Sequence, residues 1–491
     1  MKRRLVALPA FAALAACSFE PAYHRPVPAI PAALPAIGQS EATPTALSYR
    51  DIFRDPDLVS LIDQALASNQ DLRAALANVR AARAQVTISR AALFPEIDAS
   101  AGLSTGDSSN ETRSNNGSSG NNNGNGASSG GRRTTYNADL GVSWEIDLFG
   151  RQRSLTNAAF DQYLGSEAAR RGVRLSLIAG VANAYLTLAA DRSLLAIATE
   201  TRASAARSVD LTRSLLQGGV APRTDLRQAE TVLAQAEADQ ASLETAVAQD
   251  RNALQLLVGA PIGDDRLPAS IESVDGLLAE APAGLDSSIL LRRPDVVEAE
   301  YSLRAANAII GAARASFFPR IGLTALAGYA SSALSNLFTG GAFTWSVAPS
   351  VSTTLFNGGA NIGGLRQVKA QRDLALANYQ KAIQAAFRDV ADALARRATI
   401  DRQLAATRRL DAAARDSLFL ANARYRGGVD PYLSMLDAQR TAYGAARTLV
   451  SARLIRAQNL VTLYQSLGGG EAIDTLPAGQ HGNGTAPEKA G

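Results

Sequence analysis

The chain has 491 residues, of which 46% are hydrophobic but only 5% aromatic, with 49 Lys and Arg against 45 Asp and Glu. Setting Lys2, Arg3 and Arg4 aside leaves 46 basic against 45 acidic side chains, so there is no clustered cationic excess to bind nucleic acid. The two histidines, His24 and His481, stand near opposite ends, and no glycine-rich phosphate loop ending in Lys-Ser/Thr occurs. A His-based catalytic or metal centre, nucleotide hydrolysis and a bound cofactor are therefore not expected.

The chain begins "MKRRLVALPAFAALAACSFE", a basic start, an apolar run from Leu5 to Ala16 and the lone cysteine. Residues 1–16 read as an export signal, too short for a retained span. Leu14-Ala15-Ala16-Cys17 resembles the bacterial lipobox, which implies acylation of Cys17 and a lipidated linker over 17–56; an ordinary signal peptide with Cys17 incidental is the alternative. Ser18 after the cysteine implies sorting to the outer membrane. No internal disulfide can form, and no stretch of the mature chain reads as apolar enough for a transmembrane helix.

Residues 57–260 predict a helix, a strand at about 95–104, a polar loop within 106–133 and a strand at 136–149. A long helix, a tight turn at 217–224 and a returning helix follow. A linker spans 261–293. Residues 294–468 repeat the order, with strands at about 319–329 and 344–356 and a turn at 426–432; a disordered tail is expected over 469–491. The repeat rests on matched landmarks: "ALFPEIDASAG" with "SFFPRIGLTALAG", "DLFG" with "TLFN", and "GGVAPRTDL" with "GGVDPYL". After the second landmark the pairing reads as an offset of 207, Leu226 with Leu433 and Asn252 with Asn459.

All four strands alternate with period two. Tyr136, Leu140, Val142, Trp144 and Ile146 oppose Asp139, Ser143, Glu145 and Asp147. Soluble half-buried hairpins alternate in the same way, but nine to thirteen residues and a carboxylate-rich side suit a tilted membrane crossing with lipid on one face and water on the other. Four strands cannot close a barrel, so several chains would have to share one.

The long helix from Arg151 to Leu216 would run on the order of 100 Å at about 1.5 Å per residue, with Gly165, Gly172 and Gly180 as places to bend or interrupt it. Its counterpart, from about Ile362 to Arg426, carries a stripe of Leu376, Tyr379, Ile383, Phe387, Val390 and Leu394. The returning helix has a 3.5-residue seam through Leu226, Ala229, Leu233, Ala236, Gln240, Leu243, Val247, Asp250, Leu254 and Leu257. Shifted by 207, the seam predicts Leu433, Leu436, Arg440, Tyr443, Arg447, Val450, Leu454, Ala457, Val461 and Tyr464. A periplasmic coiled-coil stalk without a transport role would show the same stripes. Arg292-Arg293-Pro294-Asp295 fits the capped start of a helix.

"LLRRPDVVEAEYSLRAANAIIGAARASFFPRI" (290–321), the paired "LF" with following glycines and "ARYRGGVDPYLSMLDAQR" (423–440) resemble the TolC family of outer-membrane efflux proteins, lipoprotein branch, over roughly residues 50 to 470. The resemblance implies an α+β membrane protein: a homotrimer whose four strands per chain make a 12-stranded transmembrane β-barrel, continuous with a long periplasmic α-helical coiled-coil barrel. It implies a passive duct for small molecules that works with a periplasmic membrane-fusion adaptor and an inner-membrane resistance-nodulation-division transporter. A protein-secreting type I duct and a lipid-anchored scaffold remain the alternatives. Gly218, Gly219, Val220, Gly427, Gly428, Val429 and Pro431 become adaptor-contacting tips. Asp430 becomes a periplasmic gate, with Arg424, Tyr425 and Leu433 beside it and Arg424 and Arg426 placed to tie neighbouring tips. Turn chemistry alone also explains the glycines and prolines.

Overall fold

The structure, a computed structural model, describes residues 18–28, 30–31, 48–107, 132–274 and 287–469. The export signal, Cys17, the polar loop across 108–131 and the tail beyond 469 with His481 lie outside the described residues. In chain order the main elements are α1 (Pro56–Ser68), α2 (Gln70–Ala91), β1 (Glu96–Asp107), β2 (Arg132–Ile146), α3 (Arg151–Gln217), α4 (Arg223–Val258), α5 (Pro294–Ala315), β3 (Arg320–Ser331), β4 (Phe343–Ser352), α6 (Ala360–Arg426) and α7 (Tyr432–Ser466). The described residues form two compact units, one from residues 18–25, 81–107, 132–163 and 301–376, the other from 26–28, 30–31, 48–80, 164–274, 287–300 and 377–469.

The first unit is built on an antiparallel sheet in the order β1-β2-β3-β4. Residues opposite one another share a face, so the register turns four separate alternations into continuous rows. Ile97, Val142, Ala325 and Val347 form one apolar row, and Ala99, Leu140, Ala327 and Trp345 the next. Ser100, Asp139, Gly328 and Thr344 form a row on the other face. Among the described residues much of the apolar side is left open: Ile97 is 70% exposed, Trp345 71% and Val351 69%. β1 and β4 are the outer strands, each with one unpaired edge.

β2 and β4 stop earlier than the alternation predicts, whereas β1 and β3 run on to Asp107 and Ser331. β2 ends at Ile146, because the Asp147 carboxylate accepts the Arg153 backbone amide at 2.9 Å and Gly150 takes φ 72°, turning 147–150 into the entry of α3. Asp147 therefore caps a helix instead of extending the acidic face. β4 ends at Ser352, and Gly358 (φ 63°) and Gly359 (φ 87°) lead into α6. Residues 18–25, expected within a linker, instead pack on this unit. The Phe19 ring stacks on Phe318 at 4.5 Å, which stacks on Phe149 at 5.0 Å.

In the second unit one core gathers Leu58, Leu61 and Ile62 of α1, Ile178, Leu186 and Leu188 of α3, Leu254 and Val258 of α4, Ile271, and Val461 and Tyr464 of α7. Arg293 fastens its edge, pairing with Asp295 and Asp389 and donating to the Ser466 carbonyl at the end of α7. Pro294 opens α5, as the cap reading expects.

α3 and α6 each run 67 residues, and α6 starts and ends 209 positions after α3, at 360 against 151 and 426 against 217. Gly165, Gly172 and Gly180 do not interrupt α3. Gly172 faces Pro294 and Gly180 faces Leu257, where a Cβ would make ordinary van der Waals contacts at 3.6 and 3.8 Å, so packing does not demand glycine at either place. α3 also corrects the expectation about apolar stretches: it holds an 18-residue window long and apolar enough to cross a membrane, and 56% of that window is buried inside the protein.

All ten expected seam positions of α4 are buried or half-buried. In α7 seven of the ten expected positions, Leu436, Tyr443, Val450, Leu454, Ala457, Val461 and Tyr464, are buried or half-buried. Leu433, Arg440 and Arg447, however, are exposed, while Tyr432, Met435, Gln439, Ala442, Ala446 and Leu449 are buried. The reason lies in the tips, where Gly219 and Gly428 are the equivalent left-handed residues, 209 apart. An offset of 207 misplaces the stripe by two residues, about 200° around a helix. Farther along, Val450, Val461 and Tyr464 are buried as predicted.

Candidate functional site at the helical tips

Two helical hairpins end in the same backbone turn. Gly219 has φ 73° and Gly428 φ 69°, a region where a Cβ is unfavourable. The Val220 amide donates to Leu215 O and the Val429 amide to Arg424 O, both at 2.9 Å, while the glycine amides donate to Leu216 O and Tyr425 O at 3.0 Å. This paired pattern satisfies the last carbonyls of α3 and α6. Pro222 and Pro431 then sit in extended geometry as the residues before α4 and α7.

Between the hairpins lies a shared core of Val209, Ala229, Tyr425, Tyr432, Met435 and Leu436. Tyr425 and Tyr432 meet edge to face, 5.4 Å apart, and neither hydroxyl has a hydrogen-bond partner. Burial first, then the neighbouring Tyr425 and Asp225, push the Tyr432 phenol up to about 12, so it stays protonated. A cavity of about 740 Å³ opens beside them, lined in part by Ser204, Arg207, Asp225, Asn422 and Arg426.

Asp430 sits on the turn of the second hairpin, where Arg424 holds it from within the same chain. Nε donates to Oδ2 at 2.6 Å and Nη2 to Oδ1 at 2.8 Å. Those bonds hold the Asp430 carboxyl below its ordinary range, and the same contact raises Arg424. Val220, Val429 and Leu433, by contrast, are 77%, 64% and 61% exposed.

The outer membrane efflux protein family profile matches residues 61–260 and 285–469. The chain belongs to the outer membrane efflux protein family. It is 42% identical over 482 residues to the toluene efflux pump outer membrane protein TtgC of Pseudomonas putida, covering 97% of each chain, and 38% identical over 460 residues to the outer membrane protein OprJ of Pseudomonas aeruginosa, covering 93% of this chain and 94% of that one. Among solved structures, the open state of the Neisseria gonorrhoeae MtrE outer membrane channel is 36% identical, with a TM-score of 0.78, over 92% of this chain and 98% of that one. The protein is an outer-membrane efflux channel of the TolC fold, located in the outer membrane of a Gram-negative bacterium.

Set against this efflux protein's tips, the residues expected there separate into three groups. Gly218, Gly219, Val220, Gly427, Gly428, Val429 and Pro431 lie on the two turns. Asp430 and Arg424 come together, but as an ion pair within one chain, so Arg424 is engaged before any neighbouring tip is considered. Tyr425, expected at the gate, packs in the core between hairpins, and Leu433 points away from that core. Sequence reasoning missed Tyr432 and Met435, whereas Ala229 was among the expected seam positions. The signal for the first two was the three-residue step from Tyr432 to Met435, hidden by the offset of 207.

Proposed function

We propose that three copies share a 12-stranded barrel in the outer membrane, four strands from each, with the long helices forming a periplasmic helical barrel that duplicates one structural unit. The observation that carries this reading is a four-stranded sheet with much of its apolar face left open and two unpaired edges. In lipid each unpaired backbone group costs several kcal/mol, so the edges must be satisfied by strands of other copies. Acylation of Cys17 fits the same location.

The channel is a passive duct. The apolar Val220 and Val429 at the turns suit contact with a periplasmic adaptor, itself coupled to an inner-membrane transporter of the resistance-nodulation-division type. Asp430, held by Arg424 and flanked by the exposed Leu433, narrows the periplasmic mouth; Tyr425 stiffens the hairpin behind it. The cargo is small toxic molecules such as solvents and antibiotics, a reading supported by the relatives' roles.

Deleting the gene and restoring it in single copy tests the function. Susceptibility to toluene and to hydrophobic antibiotics should rise on deletion and return with the restored copy. Unchanged susceptibility, with the protein present in wild-type outer membranes and the remaining efflux channels also deleted, would overturn the reading.

A further inference from the structure

Residues 18–25 occupy a shaped seat on the first unit. Arg314 and Asn307 of α5 donate to the Phe19 and Pro21 carbonyls at 3.1 and 2.8 Å, and Asn157 of α3 donates to Glu20 Oε2 at 2.9 Å. Gly311 leaves the room: a Cβ there would lie 2.9 Å from the Glu20 backbone and 2.6 Å from Ser154 Oγ. The Arg304 guanidinium lies over the Tyr23 ring, 4.8 Å from its centroid. Asp161 of α3, only 4% exposed, is close enough to Arg304 and Glu20 to feel both charges. Asp161 is buried while Glu20 is half-buried, and with both ionised their like charges repel across the contact between strap and α3.

We propose that residues 18–25 form a proton-sensitive strap, held on α3 and α5 while Asp161 carries a proton and loosened when it gives that proton up. Burial pushes the Asp161 carboxyl up to about 7, with Glu20 adding to the rise and Arg304 opposing it. The sign follows. Docked, the strap sets Glu20 beside Asp161 and raises its carboxyl; freed, it does not, so the docked state binds more protons, and docking weakens as pH rises toward 7 and changes no further above it. The charged groups acting on Asp161 are Arg304 from α5 and Glu20 from the strap; His24 is a second titratable group on the strap, exposed to solvent. Loosening the strap also withdraws Phe19 from its stack on Phe318, leaving Phe318 paired with Phe149 alone.

The test is a nitroxide label on Ala22→Cys in the full chain, purified in detergent, with its mobility followed by electron paramagnetic resonance from pH 5 to 8.5 and the unsubstituted chain as blank. The docked-to-free ratio should fall by up to about tenfold per pH unit up to about pH 7 and then level off. Asp161→Asn should remove the pH dependence, and His24→Ala should keep it. Should the strap be fully docked at every pH, Phe19→Ala weakens it without touching a titrating group, and the step must then emerge. A flat profile in both backgrounds, a step that survives Asp161→Asn, or one that disappears with His24→Ala would overturn the proposal.

Discussion

The two hairpin tips have one backbone and two chemistries. Both close through a left-handed glycine with the same pair of amide-to-carbonyl bonds, and both are followed by an extended proline. At the spacing of 209 set by Gly219 and Gly428, Arg424 stands opposite Leu215 and Asp430 opposite Ala221. Both members of the ion pair are therefore missing from the first tip. Reversing a helix requires only the glycine and its carbonyl partners; the charge pair is an addition on one side, and function is to be sought in the difference.

The largest effect is expected from Tyr432→Ala. Removing a fully buried aromatic ring costs about 3–5 kcal/mol, and because Val209 and Ala229 share its core, amide exchange should quicken in both hairpins. Acceleration confined to the second hairpin would show that the core is not shared. Next come Gly219→Ala and Gly428→Ala, each placing a Cβ in left-handed geometry at a cost of about 1–2 kcal/mol. The two should lower thermal stability alike, and a clear inequality would break the equivalence of the turns.

Asp430→Ala should leave the turn intact and raise single-channel conductance or antibiotic leakage, whereas Ala221→Asp should change neither. Unchanged conductance and leakage in Asp430→Ala would remove Asp430 from the gate. The pH profile follows from the lowered Asp430 carboxyl: the pair with Arg424 is present at neutral pH and is lost only as pH falls through that lowered value, so conductance should stay level down to about pH 4 and rise below it. Deleting residues 108–131 should have the smallest effect, leaving assembly and export unchanged in gel filtration and susceptibility assays.

Much of the fold was legible because period is a strong signal: β2 from its alternation, α3 from a proline-free helical pattern, and the turns from glycine pairs followed by proline. What was missed involves phase or distance. The buried stripe of α7 could not be placed from an offset fixed elsewhere, since the chain gains two residues between Phe356 and Ala360 relative to the first copy. Strand ends were overrun because Asp147 continues the alternation while its carboxylate caps a helix. The packing of Phe19 against Phe149 and Phe318 joins residues far apart in sequence, and no local pattern announces it. At the tip, Asp430 stood out by composition, but its bond to Arg424 needed the turn that brings positions six apart face to face.

The shared barrel can be tested by joining its outer strands. Ser100→Cys on β1, combined in turn with Thr344→Cys, Ser346→Cys and Ser350→Cys on β4, should under oxidation in outer membranes give covalent species of two and three chains and nothing larger. A ladder that continues past three, or cross-links that never join separate chains in any of the pairs, would contradict a barrel closed by three copies.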